Sequence, residues 1–234
     1  MTNNLQSGDY VGMSFWLISM ALVAATAFFF LERDRVAGKW KTSLTVSGLV
    51  TLIAAVHYFY MRDVWVATEE SPTEFRYIDW LLTVPLLMVE FYLILRAVGK
   101  VPGRVFWHLL VGSTIMLIFG YLGELNKMDQ TLAFALSMAA WFYVIWYIIK
   151  GEASKVNASL ANANVQKAYK TMTLLVTVGW AIYPLGYFLG YLAGGPDGSV
   201  ADPGTMNLIY NLADFWNKIG FGIVIWSAAV ADSE

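Results

Sequence analysis

The stretch NLIYNLADFWNKIGFGIVIWS, Asn207–Ser227, is an apolar run that contains a carboxylate, Asp214, and a lysine, Lys218. A helix brings residues four apart onto one face, so it sets this acid one turn from this amine. Charged side chains at bilayer depth are costly, and those that occur face a protein interior and usually serve a function. The stretch is therefore expected to be a membrane helix with neighbours on its polar side. From spacing alone, Lys218 is either a structural ion-pair partner of Asp214 or a working amine.

The whole chain agrees with a membrane setting. Of its 234 residues 58% are hydrophobic and only 14% charged, whereas a soluble domain is nearer half apolar and a quarter charged. There are no cysteines, which excludes a disulfide, a thiolate ligand or a cysteine nucleophile. Nothing resembles a metal cluster, a hydrolase triad or a nucleic-acid surface. Met1–Tyr10 is polar and lacks a basic start, so either a leader was removed or the first span directs insertion.

Seven apolar stretches are long enough to cross a bilayer as helices: residues 11–31, 42–61, 77–95, 105–123, 131–149, 171–193 and 206–230. The connections are short, so residues 1–234 are expected to form one all-α domain. Val64–Thr68 alternates weakly and could form a small hairpin. The last connection, GGPDGSVADPG, is turn chemistry throughout. Eleven Lys and Arg residues fall on one side, in the first, third and fifth connections, against Arg62, Arg76 and Lys127 on the other. The positive-inside rule then places the N-terminus outside and the C-terminus in the cytoplasm. Of the tryptophans, Trp40, Trp65, Trp107 and Trp226 suit an interfacial belt.

The third span carries Asp79 and Glu90, eleven residues apart, about three turns or roughly 16 Å along one face. Counted inward from the outer side, the order of depth is Arg76, Asp79, Asp214, Lys218, Glu90, with His57 of the second span near Asp79. Arg76 and Lys218 balance the two outer acids. Glu90 has no nearby opposite charge in sequence, and a lone carboxyl group in an apolar site favours its neutral form. The layout puts a proton acceptor and a proton donor on opposite sides of one nitrogen. His57 could equally be an ordinary interhelix hydrogen-bonding group, and Glu90 an inert protonated acid.

At these residues the chain resembles the microbial rhodopsins, and within them the proteorhodopsin group. The likeness is densest in RYIDWLLTVPLLMVEFYLIL (Arg76–Leu95), GWAIYPLGYFLGYL (Gly179–Leu192) and NLIYNLADFWNK (Asn207–Lys218). It implies a light-driven outward proton pump in the inner membrane of a bacterium, with all-trans retinal bound covalently to Lys218 as a protonated Schiff base. By the same resemblance Asp79 is the acceptor and counter-ion, Glu90 the donor and Asp214 the second counter-ion. Arg76, Thr83 and His57 tune the acceptor, His57 through a hydrogen bond. Trp80, Met116, Trp141, Trp180, Tyr183, Pro184 and Tyr210 are implied as pocket wall, and Leu87 as the position that sets green absorption. Trp16 and Glu32–Asp34 match positions near protomer contacts of pentamers or hexamers. Glu124 is a candidate release group. A photosensor of the same fold is the main alternative. A sodium or chloride pump would carry a different triad in the third span, and a transporter without retinal would be colourless.

Overall fold

The computed structural model describes residues 6–194 and 200–234. Part of the turn-rich last connection, residues 195–199, lies outside them. The first five helices run Tyr10–Glu32, Lys41–Thr68, Thr73–Arg96, Gly103–Glu124 and Gln130–Ile149. A short helix, Glu152–Leu160, links the fifth to a long sixth helix, Ala163–Leu192, and the seventh covers residues 203–231. Six of the helices are long and apolar enough to cross a membrane. The seventh is long enough but carries Asn207, Asn211, Asp214, Asn217 and Lys218. Each helix packs on the next in chain order, and the seventh returns to the first, closing a ring.

Local chemistry sets the helix starts. Asp9, Asp129, Asn162 and Asp202 each cap a helix by accepting from a backbone N–H three residues on, at 2.8 to 3.0 Å. These caps satisfy N–H groups that have no partner within the helix. Pro203 follows its cap at the first helical position, where its missing N–H is not needed. The second helix ends at Glu69 in the left-handed conformation, φ 57°.

Three expectations are corrected. Val64–Thr68 is the last turn of the second helix, not a hairpin. The sixth helix starts at Ala163 rather than near residue 171, so Lys167 and Lys170 are helical. Arg62 and Asp63 interrupt the apolar run before Val64–Thr68, and Ala163–Lys170 is polar, so neither extension stands out by hydropathy. Trp40 is fully buried, with its indole N–H on Asp232 at 2.8 Å, so it is not a belt residue.

Large apolar side chains such as Leu17, Val178 and Trp216 face outward, while Arg76, Asp79, Glu90, Asp214 and Lys218 face inward and are buried. That inverted distribution suits a bilayer, where the polar groups must be satisfied inside. The basic connections meet at one end of the ring: Lys39 pairs with Asp232 at 2.5 Å, and Arg104 with Glu152. At the opposite end Asp9 accepts from the Trp65 indole at 3.0 Å.

Candidate functional site

The third and seventh helices bring the ionisable groups together. The Lys218 amine donates to Asp79 Oδ2, and to Asp214 Oδ2 at 3.0 Å, with all three side chains buried. The two acids differ in their surroundings. Asp214 also accepts from the hydroxyls of Tyr58 at 2.9 Å and Tyr183 at 2.7 Å, and from the Trp80 indole at 3.3 Å. Asp79 accepts from Lys218 alone, and its Oδ1 has no partner among the described residues.

Arg76 is buried near this cluster. Its guanidinium donates to Asn207 at 2.8 Å and Asn211 at 3.2 Å, and lies over the Tyr210 ring at 5.2 Å. Thr83 sends its hydroxyl to the backbone carbonyl of Asp79 at 2.9 Å, not to the carboxylate. His57 Nδ1 pairs with the Ile53 carbonyl at 2.8 Å. The expected hydrogen bond from His57 to Asp79 is not formed here, because the ring is turned along its own helix.

Glu90 stands apart. It is fully buried and accepts from Ser47 at 3.1 Å, with buried Ser43 one turn away on the same face of the second helix. No described cation pairs with it, and Oε2 has no partner among the described residues.

A cavity adjoins the cluster, lined in part by Trp80, Met116, Trp141, Trp180, Tyr183 and Pro184. Two of its walls, Trp80 and Tyr183, hydrogen-bond Asp214 directly, which sets the Lys218 amine next to the cavity through that acid. Leu87 and Tyr210 are buried but do not line it. Tyr210 packs behind the wall, 5.5 Å from Trp80 and 6.0 Å from Tyr183 between ring centres. Glu124 reaches the cavity's other end, accepting from Tyr77 at 2.8 Å and Tyr191 at 2.9 Å.

Some contributing residues escaped the sequence reading. Asn207, Asn211, Asp214 and Lys218 fall at steps of four, three and four, a single helical face that was legible in principle. Ser43 and Ser47 share a face by the same rule. Tyr58 carries no comparable signal, since its role depends on a helix far away in sequence.

A buried amine between two carboxylates, a third acid held apart and an aromatic-walled cavity lie together inside one ring of seven helices. The chain belongs to the bacteriorhodopsin-like protein family, whose model matches residues 9–231. It is 58% identical over 231 residues to the green-light absorbing proteorhodopsin of Gamma-proteobacterium EBAC31A08, covering 99% of this chain and 91% of that one. Among solved structures, blue light-absorbing proteorhodopsin from Med12 matches with a TM-score of 0.81 at 48% identity, covering 95% of this chain and 99% of that chain. Xanthorhodopsin, described as a light-driven ion pump with dual chromophore, matches with a TM-score of 0.84 at 27% identity, covering 98% of this chain and 96% of that one. The protein is thus a multi-pass membrane protein of the rhodopsin type.

Proposed function

We propose that the chain is a light-driven outward proton pump of green-absorbing type, one domain over residues 1–234, seated in a bacterial inner membrane with its basic end cytoplasmic. The observation that carries this reading is the asymmetry around Lys218: two acids within bonding distance on one side and an isolated acid, Glu90, elsewhere on the third helix. Retinal bound to Lys218 would supply the light absorption and the isomerisation that redirects the nitrogen's proton.

The chain's own residues do the rest. Asp79 and Asp214 together balance the cationic nitrogen. A carboxylate held by several donors is a poorer proton acceptor than one with a bare oxygen. Asp214 has four donors and Asp79 has one, so Asp79 takes the proton. Arg76, held by two asparagines, is placed to answer the resulting change of charge. Glu90, with hydroxyl partners only, stores a proton and returns it to the nitrogen from the cytoplasmic side. Trp80, Trp141, Trp180, Met116 and Tyr183 give flat or soft walls for a polyene, and these walls also exclude water from the reacting nitrogen. Assembly into a pentamer or hexamer, with Trp16 and Glu32–Asp34 near the contacts, belongs to the same proposal.

Illumination of cells that express the chain and are supplied with all-trans retinal tests this. Acidification of an unbuffered medium, abolished by a protonophore, is expected. A coloured protein that moves no protons would instead indicate a photosensor.

A further inference from the structure

Two helical irregularities face each other beside Lys218. The sixth helix widens to a π-helical turn at Leu175–Gly179, and the seventh does so at Phe215–Gly220. Such bulges leave backbone groups without their usual partners and often mark functional positions. Gly179 is the telling case. Its carbonyl would ordinarily accept from the N–H of Tyr183, but that N–H bonds to Trp180 at 3.1 Å. In the π register the donor would be residue 184, which is proline and has no N–H. The backbone therefore leaves the Gly179 carbonyl unserved.

The seventh helix supplies the missing donor. Asn217, buried and adjacent to Lys218, donates through Nδ2 to the Gly179 carbonyl at 3.2 Å and to the Tyr183 hydroxyl at 3.4 Å. The Tyr183 hydroxyl in turn donates to Asp214 at 2.7 Å, and Asp214 accepts from Lys218. The path from amine to hinge is thus continuous. It also requires glycine at 179, since a Cβ there would lie 2.3 Å from Asn217 Oδ1.

We propose that Asn217 is a positioning residue that latches the π-helical turn of the sixth helix, Leu175–Gly179, to the lysine-bearing turn of the seventh, so that a change at the Lys218 nitrogen releases that turn. The functional half of this inference rests on the pump reading above; the latch itself does not. Loss of the side-chain donor leaves a buried carbonyl unpaired, which loosens the sixth helix locally.

Hydrogen–deuterium exchange of the full-length protein, supplied with retinal, tests it in the dark and under steady light. In the unaltered chain, exchange within residues 175–187 rises on illumination. In Asn217→Leu, dark exchange in that segment rises by about tenfold, other helices stay protected, and the difference between light and dark vanishes. Gly179→Ala, which displaces Asn217 without altering it, gives the same pattern. Unchanged exchange in both variants overturns the latch, as does loss of protection throughout the bundle with the light response intact. The visible absorption band, read on the same samples, reports separately on the pump reading: colourless protein throughout with the dark effect present removes retinal and keeps the latch.

Discussion

The two acids of the third helix live in opposite surroundings, although both are fully buried. Asp79 touches a cation and belongs to a cluster with Lys218 and Asp214. Glu90 accepts from Ser47 of the second helix and meets no described cation. The same residue class, on one face of one helix, is thus built for two different charge states. A carboxylate beside an amine is stabilised as the ion, while one that meets only hydroxyls in an apolar wall is cheaper to bury neutral. Direction in a pump needs that difference, because a proton must leave the nitrogen toward one side and return from the other.

The contrast breaks most completely at the amine. Lys218→Ala is expected to give colourless protein in the presence of all-trans retinal, with no light-driven pH change. It also leaves Asp79 and Asp214 buried without their cation, a loss of about 3–5 kcal/mol, which a lowered thermal midpoint of the retinal-free protein would show. A visible band of ordinary intensity in this variant contradicts the assignment of Lys218.

Removing the charged side of the contrast comes next. Asp79→Asn is expected to shift absorption to the red and to abolish transport, since Asp214 is already occupied by Tyr58, Tyr183 and Trp80. Transport that survives would move the acceptor role to Asp214.

Removing the neutral side should be milder. Glu90→Gln leaves colour and the first proton transfer in place but slows recovery after a flash by roughly 10²-fold, with added azide restoring the rate. Recovery at the ordinary rate would make Glu90 an inert buried acid held by Ser47.

The smallest effect lies outside the contrast, at the basic end. Partial burial pushes the Asp232 carboxyl up, but hydrogen bonds from Lys39, Trp40 and Asn162 outweigh it and hold it below its ordinary value. A lowered folded-state value means that this stabilisation is present above the unfolded value of about 3.9 and is lost as pH falls through the folded one. Asp232→Asn should therefore cost about 1 kcal/mol or less at neutral pH, and the difference in thermal midpoint should close as the pH is lowered below about 4. A difference that persists in acid would show that packing, not charge, is lost.

The contrast also shows what the sequence could reveal. Asp79, Glu90, Asp214 and Lys218 were legible because a charge inside an apolar run stands out, and helical spacing fixed which of them share a face. The ends of the second and sixth helices were not, because Arg62 and Asp63 break the apolar run before Val64–Thr68, Ala163–Lys170 is polar, and caps such as Asn162 and Glu69 decide the boundary. The partners were harder still. Tyr58 on Asp214, Ser47 on Glu90 and Asn217 on Gly179 join residues 156, 43 and 38 positions apart, and only the packed ring brings them together. His57 illustrates the limit from the other side: depth alone placed it beside Asp79, while its own backbone captured the ring nitrogen at 2.8 Å.

Time-resolved infrared spectroscopy of the carboxylic acid C=O region, on the retinal-loaded protein after a flash, addresses the central claim most directly. The account predicts a protonated-acid band that appears first and is missing in Asp79→Asn, followed by loss of a pre-existing band that is missing in Glu90→Gln. If both bands persist in both variants, the proton neither goes to Asp79 nor returns from Glu90, and the assigned roles fail.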